Sequence, residues 1–483
     1  MDFSEISDLT STDLKSEYDY SIEKKDVIAS FFPTNTTWSA LNDSSVVFDF
    51  VLNAGNFVDL SHPLSGFVCK FGMRGDNVKA DLSLNGTLSN NWFNYYFAGA
   101  RISIGGVEIE NISNLGIFTD LEYHMLSSYN QEELEAASFI KDGKNSGKAD
   151  DYLTTALTTI PAVLAGDITA YVKTLQISPT FNRGYNKRLQ TYGRITAATQ
   201  NIYAYIPLKH IFKFCQKATN LLAYVNIRIE LFATSTPDKQ QSYFGKYDAV
   251  QPALNISQAN SSGIVELKLN LLGMTLNPTL ALEYEKRISS DINIDFDIRI
   301  LNPIDAIGDK NISRTFTTAS RPRYVFVIAK RLQNESHAAN NRQICCHADI
   351  ESIQVDFGTQ GIYPRYMQQG DFLNYKFLDF YMAFSDVARS VSGLPLKMSI
   401  KDFKDLYTIF AFDIRAQSQM TLPTWSFNVN ITRKLVPATE IAITVDGSPS
   451  NPKDVRYYII VYLERRCIIN QKLNKVTMSN PSV

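Results

Sequence analysis

Cys345-Cys346-His347 is the densest group of soft metal ligands in the chain. Adjacent cysteines chelate poorly, because a tetrahedral zinc site needs further ligands at suitable spacing. The sequence offers no second cluster, so the segment is read as a strand end or loop. The five histidines, His62, His124, His210, His337 and His347, are scattered. No Gly-X-Ser-X-Gly elbow or similar signature pairs any of them with a nucleophile, and His210 is given a structural role within Pro207 to Phe214. Gly143-Lys144-Asn145-Ser146-Gly147-Lys148-Ala149 has the composition of a phosphate loop. Its glycines are wrongly spaced, and Ala149 stands where a magnesium-binding hydroxyl is required. Arg74-Gly75-Asp76 has the form of an integrin-binding tripeptide, but Gly-Asp is ordinary turn chemistry. Asp402 and Asp405 with Lys401 and Lys404 read as a solvated or interfacial helical turn rather than an acid-base cluster. The chain is therefore expected not to be an enzyme. No catalytic, cofactor-binding or metal-ligating residue is assigned, and no cofactor.

The bulk composition suits large β-domains. Of 483 residues, 45% are hydrophobic, with 29 Phe and 25 Tyr, which suits sizeable cores and pleated, half-buried surfaces. The formal net charge of −2 creates no demand for a nucleic-acid or membrane partner. The basic C-terminal residues Arg465, Arg466, Lys472 and Lys475 lack the aromatic interleaving of single-strand binders. Five cysteines in so long a chain, Cys69, Cys215, Cys345, Cys346 and Cys467, read as reduced thiols. The polar, acidic N-terminus has no signal-peptide pattern. The longest apolar candidate for a membrane span, Ile160 to Val172, is broken by Pro161, Gly166 and Asp167. Nine Asn-X-Ser/Thr triplets, Asn35, Asn85, Asn111 and Asn430 among them, are expected to stay unmodified in a protein made inside a cell.

The elements are mostly strands. Runs at Ser45 to Leu52, Gly66 to Gly72 and Tyr95 to Ile109 (turning at Gly105-Gly106) precede a short amphipathic helix over Ile117 to Tyr129. Strands resume from Thr191 to Thr234. After a polar stretch they start again: Ile264 to Leu271, Ile292 to Ile300, Tyr324 to Ala329, Ile350 to Phe357, Ile409 to Ile414, Phe427 to Ile431, Ile441 to Val445 and Val455 to Leu463. A helix or turn region lies around Asp371 to Phe384. One pattern occurs twice. Leu208-Lys209-His210-Ile211-Phe212 precedes the strand Tyr224 to Leu231, and Phe403-Lys404-Asp405-Leu406-Tyr407 precedes Val429 to Leu435. The expectation is an all-β protein of two tandem jelly-roll sandwiches with short helices in the connecting loops. Its parts are a flexible arm (1–27), a first jelly roll (28–240), a linker (241–262), a second jelly roll (263–465) and a tail (466–483). Pro207 to Phe214 and Phe403 to Phe412 should occupy equivalent places, bringing Val225 near Val429.

Further segments carry a family resemblance. They are Asn182 to Arg188, Tyr205 to Cys215, Tyr363-Pro364-Arg365-Tyr366, Asp371-Phe372, Asn374 to Phe377 and the block Ile400 to Gln417. In this order they resemble the major capsid proteins of Polinton/Maverick elements and adintoviruses. These belong to the double jelly-roll lineage that includes virophage capsid proteins and, more distantly, adenovirus hexon. The resemblance covers about residues 180 to 435 by motif. It implies a homotrimeric, pseudo-hexameric capsomer that tiles an icosahedral capsid around a double-stranded DNA genome. The implied partners are further copies of the chain, neighbouring capsomers, and penton and minor capsid proteins, with at most weak contact to packaged DNA. The implied location is the virion.

The alternative is a multi-domain carbohydrate-binding β-sandwich protein, which requires exposed aromatic platforms on one domain. A β-sandwich hydrolase requires a convergent acid-base pair that the sequence does not display.

Overall fold

The computed structural model describes residues 22–34, 37, 41–42, 44–52, 57–73, 86–126, 131–143, 183–192, 200–234, 243–245, 263–288, 290–307, 309–331, 344–345, 347–348, 350–357, 362–363, 377–415, 424–433 and 454–480. The first set of strands is β1 (Ile22–Phe31), β2 (Val46–Val51), β3 (Phe57–Asp59), β4 (Gly66–Met73), β5 (Gly86–Leu88), β6 (Phe97–Ile104), β7 (Val107–Ser113), β8 (Gln200–Pro207), β9 (Asn226–Ala233), β10 (Tyr243–Gly245) and β11 (Gly263–Leu276). One sheet has the order β1-β11-β4-β8, with β3 also on β11, and the other has the order β2-β9-β6-β7. The short strands β5 and β10 pair with each other.

The second set is β12 (Ile292–Ile307), β13 (Asn311–Thr318), β14 (Pro322–Arg331), β15 (Ile350–Asp356), β16 (Ile362–Tyr363), β17 (Ile409–Asp413), β18 (Trp425–Arg433), β19 (Asp454–Asn470) and β20 (Lys475–Ser479). Its sheets run β12-β19-β14-β17, with β20 on β19, and β13-β18-β15-β16. With the short accessory strands set aside, each set contains eight strands. In both, the first, eighth, third and sixth form one sheet, and the second, seventh, fourth and fifth form the other. This is jelly-roll winding carried out twice.

Side-chain alternation explains the one-sided sheets. Along β18 residues alternate between buried and more exposed from Trp425 to Arg433. Phe427 stacks on its cross-strand partner Phe316 with centroids 5.3 Å apart. In β17, Ile409 to Phe412 are all buried, because a helix covers this strand. Gly105 and Gly106, at φ +57° and +80°, make the tight turn between β6 and β7.

The helices are α1 (Trp92–Tyr96), α2 (Leu115–Leu126), α3 (Gln131–Ala136), α4 (Arg183–Tyr192), α5 (Leu208–Ile211), α6 (Lys213–Lys217), α7 (Pro278–Arg287), α8 (Leu378–Ser392) and α9 (Ile400–Asp405). Helix α7 starts with Asn277, whose side chain accepts the Thr279 amide, and Pro278 in its first turn. Ser399 caps α9 in the same way. Helix α8 lies on β17, with Phe380 edge-on to Phe410 at 5.0 Å.

Several expected boundaries move. Gly263–Leu276, expected to open the second jelly roll, pairs with β1 and β4 of the first set. The strand completes a sheet that β1 begins. Residues 22–27, placed in an arm, lie in β1, and part of the expected linker forms β10. The expected tail continues β19 to Asn470 and returns as β20. Residues from Thr191 begin no strand; α4 runs to Tyr192 and β8 starts at Gln200. The two repeated segments also differ in order, since α5 follows its strand β8 while α9 precedes β17. Val225 lies just before β9 and Val429 lies within β18, the corresponding seventh strands. The strand expected at Ile441 to Val445, the Ile160 to Val172 segment and residues 1–21 lie outside the described residues.

Candidate functional site: the junction between the two units

The two eight-stranded units meet where β7, an edge strand of the first, approaches β12, an edge strand of the second. Helices α2 and α6 line the same seam. From β12 the Arg299 guanidinium donates to Glu110 of β7 at 2.7 Å and to the Ile211 carbonyl at 2.5 Å, and it lies 3.6 Å from Glu122 of α2. Lys213 of α6 binds Glu122 at 2.6 Å, and the Tyr462 hydroxyl of β19 donates to the same carboxylate. All four charged side chains are at least nine-tenths buried, and their formal charges cancel. Phe214 and Phe296 meet edge to face beside them, centroids 5.6 Å apart.

Burial sets the electrostatics of this cluster. It works against ionisation of Glu122, yet Lys213 and Arg299 outweigh it and hold that carboxyl below its usual range. Burial dominates at Glu110 and raises it despite Arg299. Burial opposes the Arg299 charge as well, but Glu110 and Glu122 overcome it and keep the guanidinium protonated. Ion pairs this dry contribute little net stability, whereas removal of one member strands a charge.

A second cluster also joins the two units. Asp120 of α2 is 3.7 Å from Lys330 of β14. It accepts Asn91 Nδ2 at 2.8 Å and the Tyr95 hydroxyl, and that hydroxyl in turn accepts from Lys330 at 2.9 Å. Gly116 makes room for this, because a Cβ there would fall 2.6 Å from the Tyr95 ring. Burial raises Asp120 to about 6, against the pull of Lys330. Nearby, Arg188 of α4 is fully buried. It binds Asp142 at 2.8 Å and the carbonyls of Leu88 and Ile140 at 3.0 and 2.6 Å. The Tyr407 hydroxyl donates to the Asp142 carbonyl at 2.8 Å, tying this group to the second unit.

Solved structures match the chain over nearly its whole length, although no family model and no curated protein matches it. VP54 of PBCV-1, in a crystal structure fitted into a reconstruction of the virophage Sputnik, has a TM-score of 0.53 at 10% identity, over 97% of this chain and 99% of that one. A chain of the Sputnik virophage solved by cryo-EM gives 0.53 at 12% identity, over 96% and 89%. The mavirus major capsid protein gives 0.50 at 10%, over 98% and 93%. The fold is the double jelly roll.

Within this double jelly roll the chemically suggestive residues stay apart. Cys345 is buried and its amide donates to the Leu406 carbonyl at 2.8 Å. His347 is partly buried, and Cys346 lies outside the described residues, as do Arg74-Gly75-Asp76, His337 and Lys144 to Ala149. Among the described residues, no three His, Cys, Asp or Glu side chains form a metal-binding group. His62 accepts the Leu64 amide on Nδ1 at 3.1 Å. His124 packs on the Tyr407 ring at 4.3 Å, and burial, with Lys141 and Lys330 nearby, drives its pKa well down. His210 Nε2 is held by Glu133 at 3.0 Å and its Nδ1 is buried, so no ring nitrogen faces a reactant. Asp402 meets Lys141 at 3.5 Å. Arg466 pairs with Asp295 across the β12–β19 ladder at 2.6 Å, while Lys472 and Lys475 are exposed. The junction residues were not singled out from sequence. Arg299 sits on the polar side of the alternating run Ile292 to Ile300, where solvent is the ordinary expectation.

Proposed function

We propose that this double jelly roll is a major capsid protein and has no catalytic role. The observation that carries the reading is the same eight-strand winding twice in one chain, matched to solved capsid proteins along nearly their whole length. In this reading three chains associate into a capsomer with pseudo-sixfold outline, because two similar units per chain give a trimer six similar walls. Closed symmetry of that kind buries edges that would otherwise pair without limit. The buried ion pairs across the seam support it, since they join the two units of each wall. Exposed apolar side chains such as Tyr203, Leu282 and Met382, at 65, 60 and 55% exposure, supply contact area for neighbouring copies.

Such capsomers assemble into an icosahedral virion shell around double-stranded DNA, with penton and minor capsid proteins as further partners. The motif series ending in Lys401 to Gln417 supports the Polinton/Maverick and adintovirus branch of the lineage. Electron microscopy of the purified protein, with analytical ultracentrifugation, tests the assembly. Trimeric particles of hexagonal outline are expected. A stable monomer at micromolar concentration across a range of salt would overturn the reading.

A further inference from the structure

The turn closing the β19–β20 hairpin belongs to the second unit by sequence and to the first by contact. Gln471 is fully buried, although its neighbours Lys472 and Leu473 are exposed. Its Oε1 accepts the Ala223 amide at 2.7 Å. Its Nε2 donates to the Leu221 carbonyl at 3.1 Å and lies 3.5 Å from the Tyr284 hydroxyl. The Tyr284 hydroxyl donates to that same Leu221 carbonyl. One carboxamide therefore joins three elements: the loop before β9, the terminal turn, and α7, the helix that carries the chain from the first unit to the second.

The surroundings reinforce this junction. Leu221, Ala223, Phe57, Met274, Tyr284 and Ile288 belong to an apolar cluster separate from the main core. The Asn226 amide donates to Asn474 Oδ1 and the Lys472 amide to the Ile288 carbonyl, each at 3.4 Å. Gly105 lies so close that a Cβ would sit 3.0 Å from the Asn474 carbonyl oxygen. Tyr224 is held at φ +56°, a left-handed conformation that aromatic residues rarely adopt, and its hydroxyl donates to Glu285 of α7 at 3.1 Å. Strain of this kind persists only where the surrounding contacts over-determine it. The Gln471 bonds to Ala223 and Leu221, one and three residues before Tyr224, are such contacts.

We propose that the turn Gln471–Asn474 is a clasp: by seating Gln471 between the Leu221–Tyr224 loop and α7, it locks the two jelly rolls into one cooperative body. Until the clasp is seated, the halves are joined by α7 and the seam but unfold separately. This inference is independent of the capsid reading.

Full-length Gln471→Ala protein tests it by calorimetry and by hydrogen exchange resolved at Ala223. The unaltered chain is expected to unfold in one transition. In the variant the transition should divide in two, and the Ala223 amide should exchange about tenfold faster or more, because a buried amide has lost its acceptor. Gln471→Met keeps the length of the side chain but neither hydrogen bond, so it should repeat the alanine result and remains informative if the alanine variant folds poorly. Leu473→Ala, in the same turn at an exposed position, should change neither measurement. A single transition with unaltered exchange at Ala223 in Gln471→Ala would overturn the proposal, as would an equal effect from Leu473→Ala.

Discussion

Arg299 of β12 and Glu110 of β7 form an ion pair at 2.7 Å across the seam, with side chains only 1% and 2% exposed. Neither has water to fall back on. The pair therefore fixes how the two units meet more than how strongly they adhere. Arg299→Met alone should destabilise the protein by about 3–5 kcal/mol, because Glu110 is left buried without its cation while Glu122 keeps only Lys213. Concerted apolar replacement of Arg299, Glu110, Glu122 and Lys213 should recover most of that loss. Urea unfolding of the single and quadruple variants measures the difference. Equal destabilisation in both would refute the account.

Phe212 and Phe410 are both fully buried in the main core. Replacing either with Ala should cost about 3–5 kcal/mol, and the yield of folded protein should drop. An unchanged melting temperature in either variant contradicts its placement.

Asp120 makes stability depend on pH in an unusual direction. Burial raises its pKa from 3.8 to about 6 on folding, so the folded state holds this proton more tightly than the unfolded chain. The resulting contribution is fully present below pH 3.8, is lost as pH rises through about 6, and is on the order of 3 kcal/mol at most. Glu133 acts in the opposite sense. Burial raises it, but His210 and Lys209 together bring it from 4.5 to about 2, so its contribution is present above 4.5 and lost as pH falls through about 2. Asp120→Asn should flatten the change in urea midpoint between about pH 7.5 and pH 5. A variant that keeps the full slope would assign it to another group.

Much of the sheet framework was readable as strings of apolar and alternating residues. The runs starting at Val46, Gly66, Ile350 and Asp454 are strands, because burial of one or both faces writes itself into local composition. Strands β1 and β13 escaped. The first is charged at Glu23, Lys24, Lys25 and Asp26, and the second has only two apolar residues, Ile312 and Phe316. The misplaced Gly263–Leu276 has a different cause. Its partners β1 and β4 lie about 200 or more residues upstream, and no local pattern reports which sheet a strand will join. The seam was invisible for a related reason. Arg299 and Glu110 look like solvent-facing polar residues of amphipathic strands until the other unit covers them.

Cys69, Cys215, Cys345 and Cys467 are all buried and none is in a disulfide. Burial pushes the Cys215 thiol well up and Cys467 up to about 12, so both resist becoming the reactive thiolate. In a Cys346→Ser background, native protein should take up no thiol reagent over the time in which denatured protein takes up four equivalents. Labelling of Cys467 before unfolding would show that the β19–β20 end of the sheet opens on its own. Mass spectrometry distinguishes the two results.

The pairing of β1 with β11 bears on how the polypeptide is born. At translation speeds of about 5–20 residues per second, the opening strand leaves the ribosome on the order of ten seconds or more before its neighbour exists. Throughout that interval one flank of the nascent sheet is bare and able to recruit the same strand from another chain. Crowded synthesis makes this a hazard, which a chaperone at the exit tunnel would contain by shielding Ile22–Phe31 until Gly263–Leu276 arrives.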